Sequence, residues 1–172
     1  FHGLPVLPAA FARSSLAICL AVVGEFEKAE AYAAEAARRA DAVGQPDSIM
    51  WAHWSIGSVA LNKGDGGAAI LVFDRLLDVC ATHDLDAYAS RIMAGLGRTM
   101  ARLGQVREGI ALLEKAVSLD EIAEPQITRS LTLTAYVEAL VLAGEFDKAL
   151  KTLTDLLERT RSLGERAAEA HA

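Results

Sequence analysis

The stretch LGRTMARLGQVREGIALLEKAV, residues 96–117, reads as two helices joined at a glycine. Before Gly104, apolar residues stand at Leu96, Met100 and Leu103. After it they stand at Ile110, Leu113, Ala116 and Val117, a spacing of three and four that keeps one face of an α-helix apolar. A glycine between such segments lets the backbone leave one helix through a left-handed conformation, which a Cβ-bearing residue adopts only at a cost. Gly109, five residues on, has its own mechanical reason: where two antiparallel helices cross closely, a large side chain does not fit.

The same pattern recurs along the chain. Gly24, Gly64, Gly104 and Gly144 are each 40 residues apart. Five residues after each glycine comes Ala29, Ala69, Gly109 or Ala149, and eight before each comes Leu16, Ile56, Leu96 or Tyr136. Seven before stand Ala17, Gly57, Gly97 and Val137. Directly after the glycines stand Glu25, Asp65, Gln105 and Glu145, mostly acidic, as the positive end of a helix dipole favours. The segments between units carry Gly44, Pro46, Pro125 and Gly164 as breakers, and strand signals are absent. The predicted units are roughly 9–44, 48–84, 87–124 and 126–163 of a single array over 1–172, with 164–172 the start of a further, truncated repeat.

Large apolar, small, glycine, small, at these offsets, resembles the tetratricopeptide repeat (TPR), and the signature continues past the turn to Phe73, Leu113 and Leu153 and then to Ala36, Leu76, Ala116 and Leu156. The sequence departs from that pattern at Ala33, where a bulky residue is usual, at Leu76, Leu156 and Val137, where small ones are, and at Arg13, His53, Met93 and Leu133, which occupy a tryptophan-like position. The resemblance implies an all-α, tetratricopeptide-like α-solenoid of about four antiparallel helix pairs forming a right-handed superhelix. The runs Gly144-Glu145-Phe146-Asp147-Lys148-Ala149 and Leu96 to Val117 are similar to variant arrays of about 40 residues in bacterial multidomain proteins, ATPase-linked cyclases and LuxR-type regulators. The cyclase, nucleotide-binding and DNA-binding motifs of those proteins have no counterpart here.

Composition narrows the function classes. The 172 residues are 52% hydrophobic and carry 17 basic against 23 acidic side chains, a net charge of −6, which argues against a nucleic-acid footprint. The longest apolar stretch, Leu16 to Val23, is far below the roughly 18–20 residues needed to span a bilayer, so no membrane association is expected. Cys19 and Cys80 are too few and too far apart for a disulfide framework and fit a reducing cytoplasm. With no signal segment and Phe1 in place of a start methionine, the sequence reads as part of a longer cytoplasmic protein.

No catalytic constellation is legible, and an enzyme is not expected. Gly64-Asp65-Gly66-Gly67 lacks the Lys and Ser or Thr of a phosphate loop and reads as a loose inter-helix turn. His2, His53, His83 and His171 have no His or Cys three or four residues away, so no metal is expected, nor any cofactor. Beside Trp54, His53 reads as a helix-contact residue. Ser55 and Ser58 have no nucleophile elbow around them.

What remains is surface. In a tetratricopeptide array the first helices of successive units line a concave groove, and the matching positions here hold Trp51, Trp54 and Ser58, then Arg91, Ala94, Arg98 and Arg102, then Leu131, Thr134 and Glu138. Tryptophans beside arginines are the residue types most enriched at binding hot spots, so Trp51, Trp54, Ser58, Arg91, Arg98, Arg102 and Glu138 are the candidate partner-binding residues. Against this stands a plainer reading, in which the tryptophans pack between units and the arginines pair with nearby acids. The Lys and Asn clamp by which some arrays hold chaperone tails is missing, since Ser14 and Ile18 occupy its places. Phe11, Ile18, Ala21 and Val22 make the first segment apolar, suited to an amphipathic helix, a neighbouring domain or a second copy in a homodimer. The expected function is a protein-binding or regulatory scaffold holding a peptide, helix or neighbouring domain. The alternatives are a small-ligand sensor attached to an ATPase, cyclase or transcription regulator, and a structural spacer or dimerisation module.

Overall fold

The computed structural model describes residues 7–83, 85–122 and 129–164, and in them every regular element is an α-helix. In chain order these are α1 (Pro8–Val22), α2 (Phe26–Val43), α3 (Pro46–Lys63), α4 (Gly66–His83), α5 (Asp86–Arg102), α6 (Val106–Ile122), α7 (Arg129–Ala143) and α8 (Phe146–Leu163). The expected further repeat after Gly164, and the Pro125 breaker, lie outside the described residues, as do His2 and His171.

The four periodic glycines are the turns between the members of each pair, with φ of +84°, +90°, +89° and +75° at Gly24, Gly64, Gly104 and Gly144. The residue after each glycine closes the turn by donating its backbone N–H to a carbonyl five residues back, Glu25 to Leu20, Asp65 to Ala60, Gln105 to Met100 and Glu145 to Leu140, all at 2.9 Å. This closure satisfies carbonyls that a helix end would otherwise leave open, and it requires the left-handed residue in the middle. The polar residue after the glycine also starts the next helix. The glycine cluster at 64–67 is not a loose turn, however. Gly66 and Gly67 already belong to α4, and Asp65 Oδ1 accepts the Ala68 N–H at 3.1 Å, so a side-chain cap makes this turn as tight as its counterparts.

The chain divides into two compact units, residues 1–88 and 89–172, with the boundary inside α5. The first is built largely on alanine. Ala10, Ala17, Ala21, Ala29, Ala33, Ala36, Ala37, Ala40 and Ala52 are all buried, with Val59 among them and Ile56 packed alongside. Ala33, a departure from the repeat pattern, is therefore a core residue whose small size suits an alanine-filled contact. Prolines at the starts of α1 and α3 set the helical φ where no N–H partner is needed. Leu7, ahead of α1, donates its N–H to Ser48 Oγ of α3 at 2.7 Å.

The second unit has larger core residues. Leu113, Ala116, Ala135, Tyr136, Ala139, Leu140 and Ala149 pack together, with Met93, Ile110, Val117 and Val137 against them. Within it, the small positions do what the spacing implies. A Cβ on Gly97 would lie 2.8 Å from the Gly109 carbonyl oxygen, and one on Gly109 would lie 2.5 Å from the Gly97 carbonyl oxygen. These are backbone-to-backbone limits, so α5 and α6 cross where neither tolerates a side chain.

Candidate interaction surfaces

In the first unit the sequence-predicted residues sit in an aromatic cluster. Trp51 of α3 stands edge-on to Phe11 of α1, with ring centroids 5.1 Å apart, and edge-on to Tyr88 at 6.5 Å. Tyr88 in turn donates its hydroxyl to Asp47 at 2.7 Å. Trp54 tilts onto Phe73 of α4, centroids 5.1 Å apart, and Phe73 is wholly buried. Both tryptophans are half-buried, so each gives part of its face to packing and part to solvent. Ser58 is buried rather than open, 7% exposed, and lies beneath this surface. His53 makes the helix contact its position implies, its Nε2 lying 3.1 Å from Asp41 Oδ1 on α2.

The second unit brings three of the predicted residues together. Arg98 and Arg102 of α5 lie one turn apart and both direct Nε at Glu138 of α7, Arg98 to Oε2 at 2.7 Å and Arg102 to Oε1. Each guanidinium thus takes one oxygen of the same carboxylate. All three side chains keep contact with water, 36%, 42% and 29% exposed for Arg98, Arg102 and Glu138. Burial pushes the Glu138 carboxyl up, but the Arg102 hydrogen bond and the charges of both arginines outweigh it and hold the group below the ordinary carboxylate value. Arg91, two turns before Arg98 on the same helix, is half-buried and has an interaction of its own. Leu131, 63% exposed, and Leu142, 50% exposed, lie on α7 at helical spacing either side of Glu138.

Other polar contacts carry no periodic signal in the sequence. Glu114 of α6 accepts the Tyr136 hydroxyl at 2.9 Å and the Lys148 ammonium at 2.8 Å, joining three helices. The Lys148 and Tyr136 hydrogen bonds hold the Glu114 carboxyl low, and the same carboxylate drives the Lys148 ammonium up. Ser90 donates to Asp120, both buried. Tyr136 stands at the large apolar position of its repeat, and only its hydroxyl hints at a polar role. The partners Glu114 and Lys148 are ordinary surface charges in sequence, and folding alone brings them together.

An open depression of about 630 Å³ lies on α5 and α6 against Met93, Ala111, Glu114, Lys115, Ser118 and Leu119, and none of the sequence-predicted residues lines it. Among the described residues no group of three His, Cys, Asp or Glu side chains is placed to hold a metal ion, and no helix is long and apolar enough to cross a membrane.

The architecture is a helical repeat of the tetratricopeptide type. Solved structures with this fold include aspartyl phosphate phosphatase F from Bacillus subtilis, superposing with a TM-score of 0.72 at 13% identity over 90% of this chain and 41% of that one. They also include a putative kinesin light chain from Podospora anserina with nearly identical TPR-like repeats, and a single-residue variant of it, each with a TM-score of 0.66 at 15% and 14% identity over 91% of this chain and 78% of theirs. The chain thus spans less than half the length of the phosphatase. No protein-family model matches the sequence, and no curated protein does.

Proposed function

We propose that the chain is a non-enzymatic protein-interaction module of a larger cytoplasmic protein, holding a peptide, a helix or a neighbouring domain against the first helices of its repeats. One observation carries this reading: Arg98, Arg102 and Glu138, from two successive first helices, form one half-exposed charged node with exposed leucines beside it. Arginine is among the residue types enriched at binding hot spots, and exposed leucines beside it offer apolar contact area. Arg91 extends the proposed contact along α5, and the half-exposed faces of Trp51 and Trp54 offer a contact of their own in the first unit. A spacer role, the plainer reading, is favoured by the use of Trp51 and Trp54 as packing residues against Phe11, Tyr88 and Phe73 and by the pairing of Arg98 and Arg102 with an acid of the same chain.

A pull-down from host lysate tests the proposal, comparing the wild-type chain with an Arg91→Ala, Arg98→Ala, Arg102→Ala variant of equal helicity by circular dichroism. The expected result is a specific protein retained by the wild type and lost by the variant. Identical eluates from the two proteins would favour the spacer.

A further inference from the structure

The arginine node has unused capacity of one chemical kind. A guanidinium carries five N–H donors, one on Nε and four on the two Nη atoms. Arg98 and Arg102 each hydrogen-bond Glu138 through Nε, and neither has another hydrogen-bond or ion-pair partner among the described residues. Two planar forks are therefore gathered on one internal carboxylate while their side chains stay 36% and 42% exposed, a node of two guanidiniums and one carboxylate with one positive charge in excess. That local sign opposes the chain as a whole, whose net charge is −6. A long polyanion meets repulsion from the whole molecule, whereas a single carboxylate on a short segment meets chiefly the two nearby forks, since screening removes interactions beyond about 10 Å.

We infer that Arg98 and Arg102 form an acceptor site for one Asp or Glu side chain of a peptide segment whose neighbouring residues are apolar. The inference rests on the interaction-module reading above and adds the chemistry of the partner. Glu138 is the positioning residue. By occupying both Nε atoms it orients the two guanidiniums from one side and leaves the Nη edges, whose paired N–H groups match the two oxygens of a carboxylate, for the partner. Leu131 and Leu142 supply the apolar ground on either side. On α7 they stand about 10 Å and about 6 Å along the helix axis from Glu138, so they meet side chains that flank the acid within the same short segment. A phosphorylated segment is the rival occupant, and the test separates it.

Random dodecapeptides displayed on phage are selected against the wild-type protein and, in parallel, against an Arg98→Gln, Arg102→Gln variant shown by circular dichroism to be folded. Selected peptides are then synthesised with their acid as Glu, as Gln and as phosphoserine, and titrated by fluorescence anisotropy. The expected result is enrichment of one Asp or Glu between apolar residues for the wild type only. The Gln peptide should bind about tenfold or more weaker than the Glu peptide, and the loss should vanish in the variant. Binding of the Glu peptide should also weaken as salt rises. Peptides selected without an acid, or binding both proteins equally, would overturn this inference while leaving the interaction module intact. A phosphoserine peptide binding tenfold tighter than the Glu peptide would overturn the carboxylate assignment. Failure to select any peptide, together with an empty pull-down, would sink both readings.

Discussion

The glycines of this chain serve two unlike purposes, and substitution separates them. Gly104 has φ +89° and open space around its missing Cβ, so Gly104→Ala meets only the backbone cost of the left-handed region, about 1–2 kcal/mol. Gly109 has a helical backbone but no room, its would-be Cβ 2.5 Å from the Gly97 carbonyl oxygen. There Gly109→Ala gains about 1 kcal/mol of helix propensity against an overpacking cost of about 1–3 kcal/mol, and because the obstacle is backbone the loss should win. Urea melts of both variants check this, with both midpoints expected to fall. A Gly109→Ala midpoint above that of the wild type would contradict the close crossing of α5 and α6. Glu138 gives a residue-scale prediction in pH. Its carboxyl is held below the ordinary value of 4.5 in the folded state, so its pairing contributes fully at neutral pH and is lost as pH falls through the folded value. Stability should drop on acidification from about pH 6 to about pH 3 less steeply in Glu138→Gln than in the wild type. At neutral pH the variant should lose roughly 0.5–1 kcal/mol, since the node is half-exposed and screened. Parallel slopes for the two proteins would show that the node adds nothing to folding.

At the scale of elements, α3 and α4 are joined by a ring contact rather than by small residues alone. Phe73 is fully buried, lies against Trp54, and sits where a Cβ on Gly57 would reach 2.5 Å from its ring. Gly57 and Phe73 are thus complementary, the missing side chain of one making room for the ring of the other. Phe73→Ala should cost about 3–5 kcal/mol, the usual range for an emptied aromatic site. Gly57→Ala should also destabilise, and the pair together should lose less than the sum, which a double-mutant cycle in urea measures. Strict additivity would mean that the two positions do not share one space. The turns were legible from sequence at this scale because each needs one residue type at one place. The Gly64 to Gly67 cluster misled because composition alone does not tell a glycine in a turn from one in the first turn of a helix. The Asp65 cap decides between them.

At the scale of the whole molecule, Trp51 and Trp54, the only two tryptophans of the chain, both belong to the unit of residues 1–88, whereas circular dichroism reports helices in both units. Repeat proteins gain stability mainly from neighbouring repeats, so a lesion in one stretch need not unfold the rest at once. Phe73→Ala should therefore bring the fluorescence transition to lower urea than the dichroism transition. Coincident transitions in the variant would mean that the two units unfold as one.

The sequence by itself determined the helical repeat, its 40-residue period, the left-handed glycine of each turn and the small residues at Gly97 and Gly109. These are demands that a backbone makes locally and repeats in register. It also placed Arg98 and Glu138 at equivalent positions of successive repeats, six residues before Gly104 and Gly144, with Arg102 one turn after Arg98. Only the tertiary structure decided what they do there. Whether two arginines bind each other's neighbours, a partner or water depends on distances across helices that are 36 to 40 residues apart in the chain. The same holds for Glu114 with Tyr136 and Lys148, for Trp51 between Phe11 and Tyr88, and for Ser58, which lies buried beneath the surface its position suggested. Periodicity encodes which face a residue occupies, because rotation along a helix is fixed per residue. Which side chain meets which across that face is set by packing, and packing has no period.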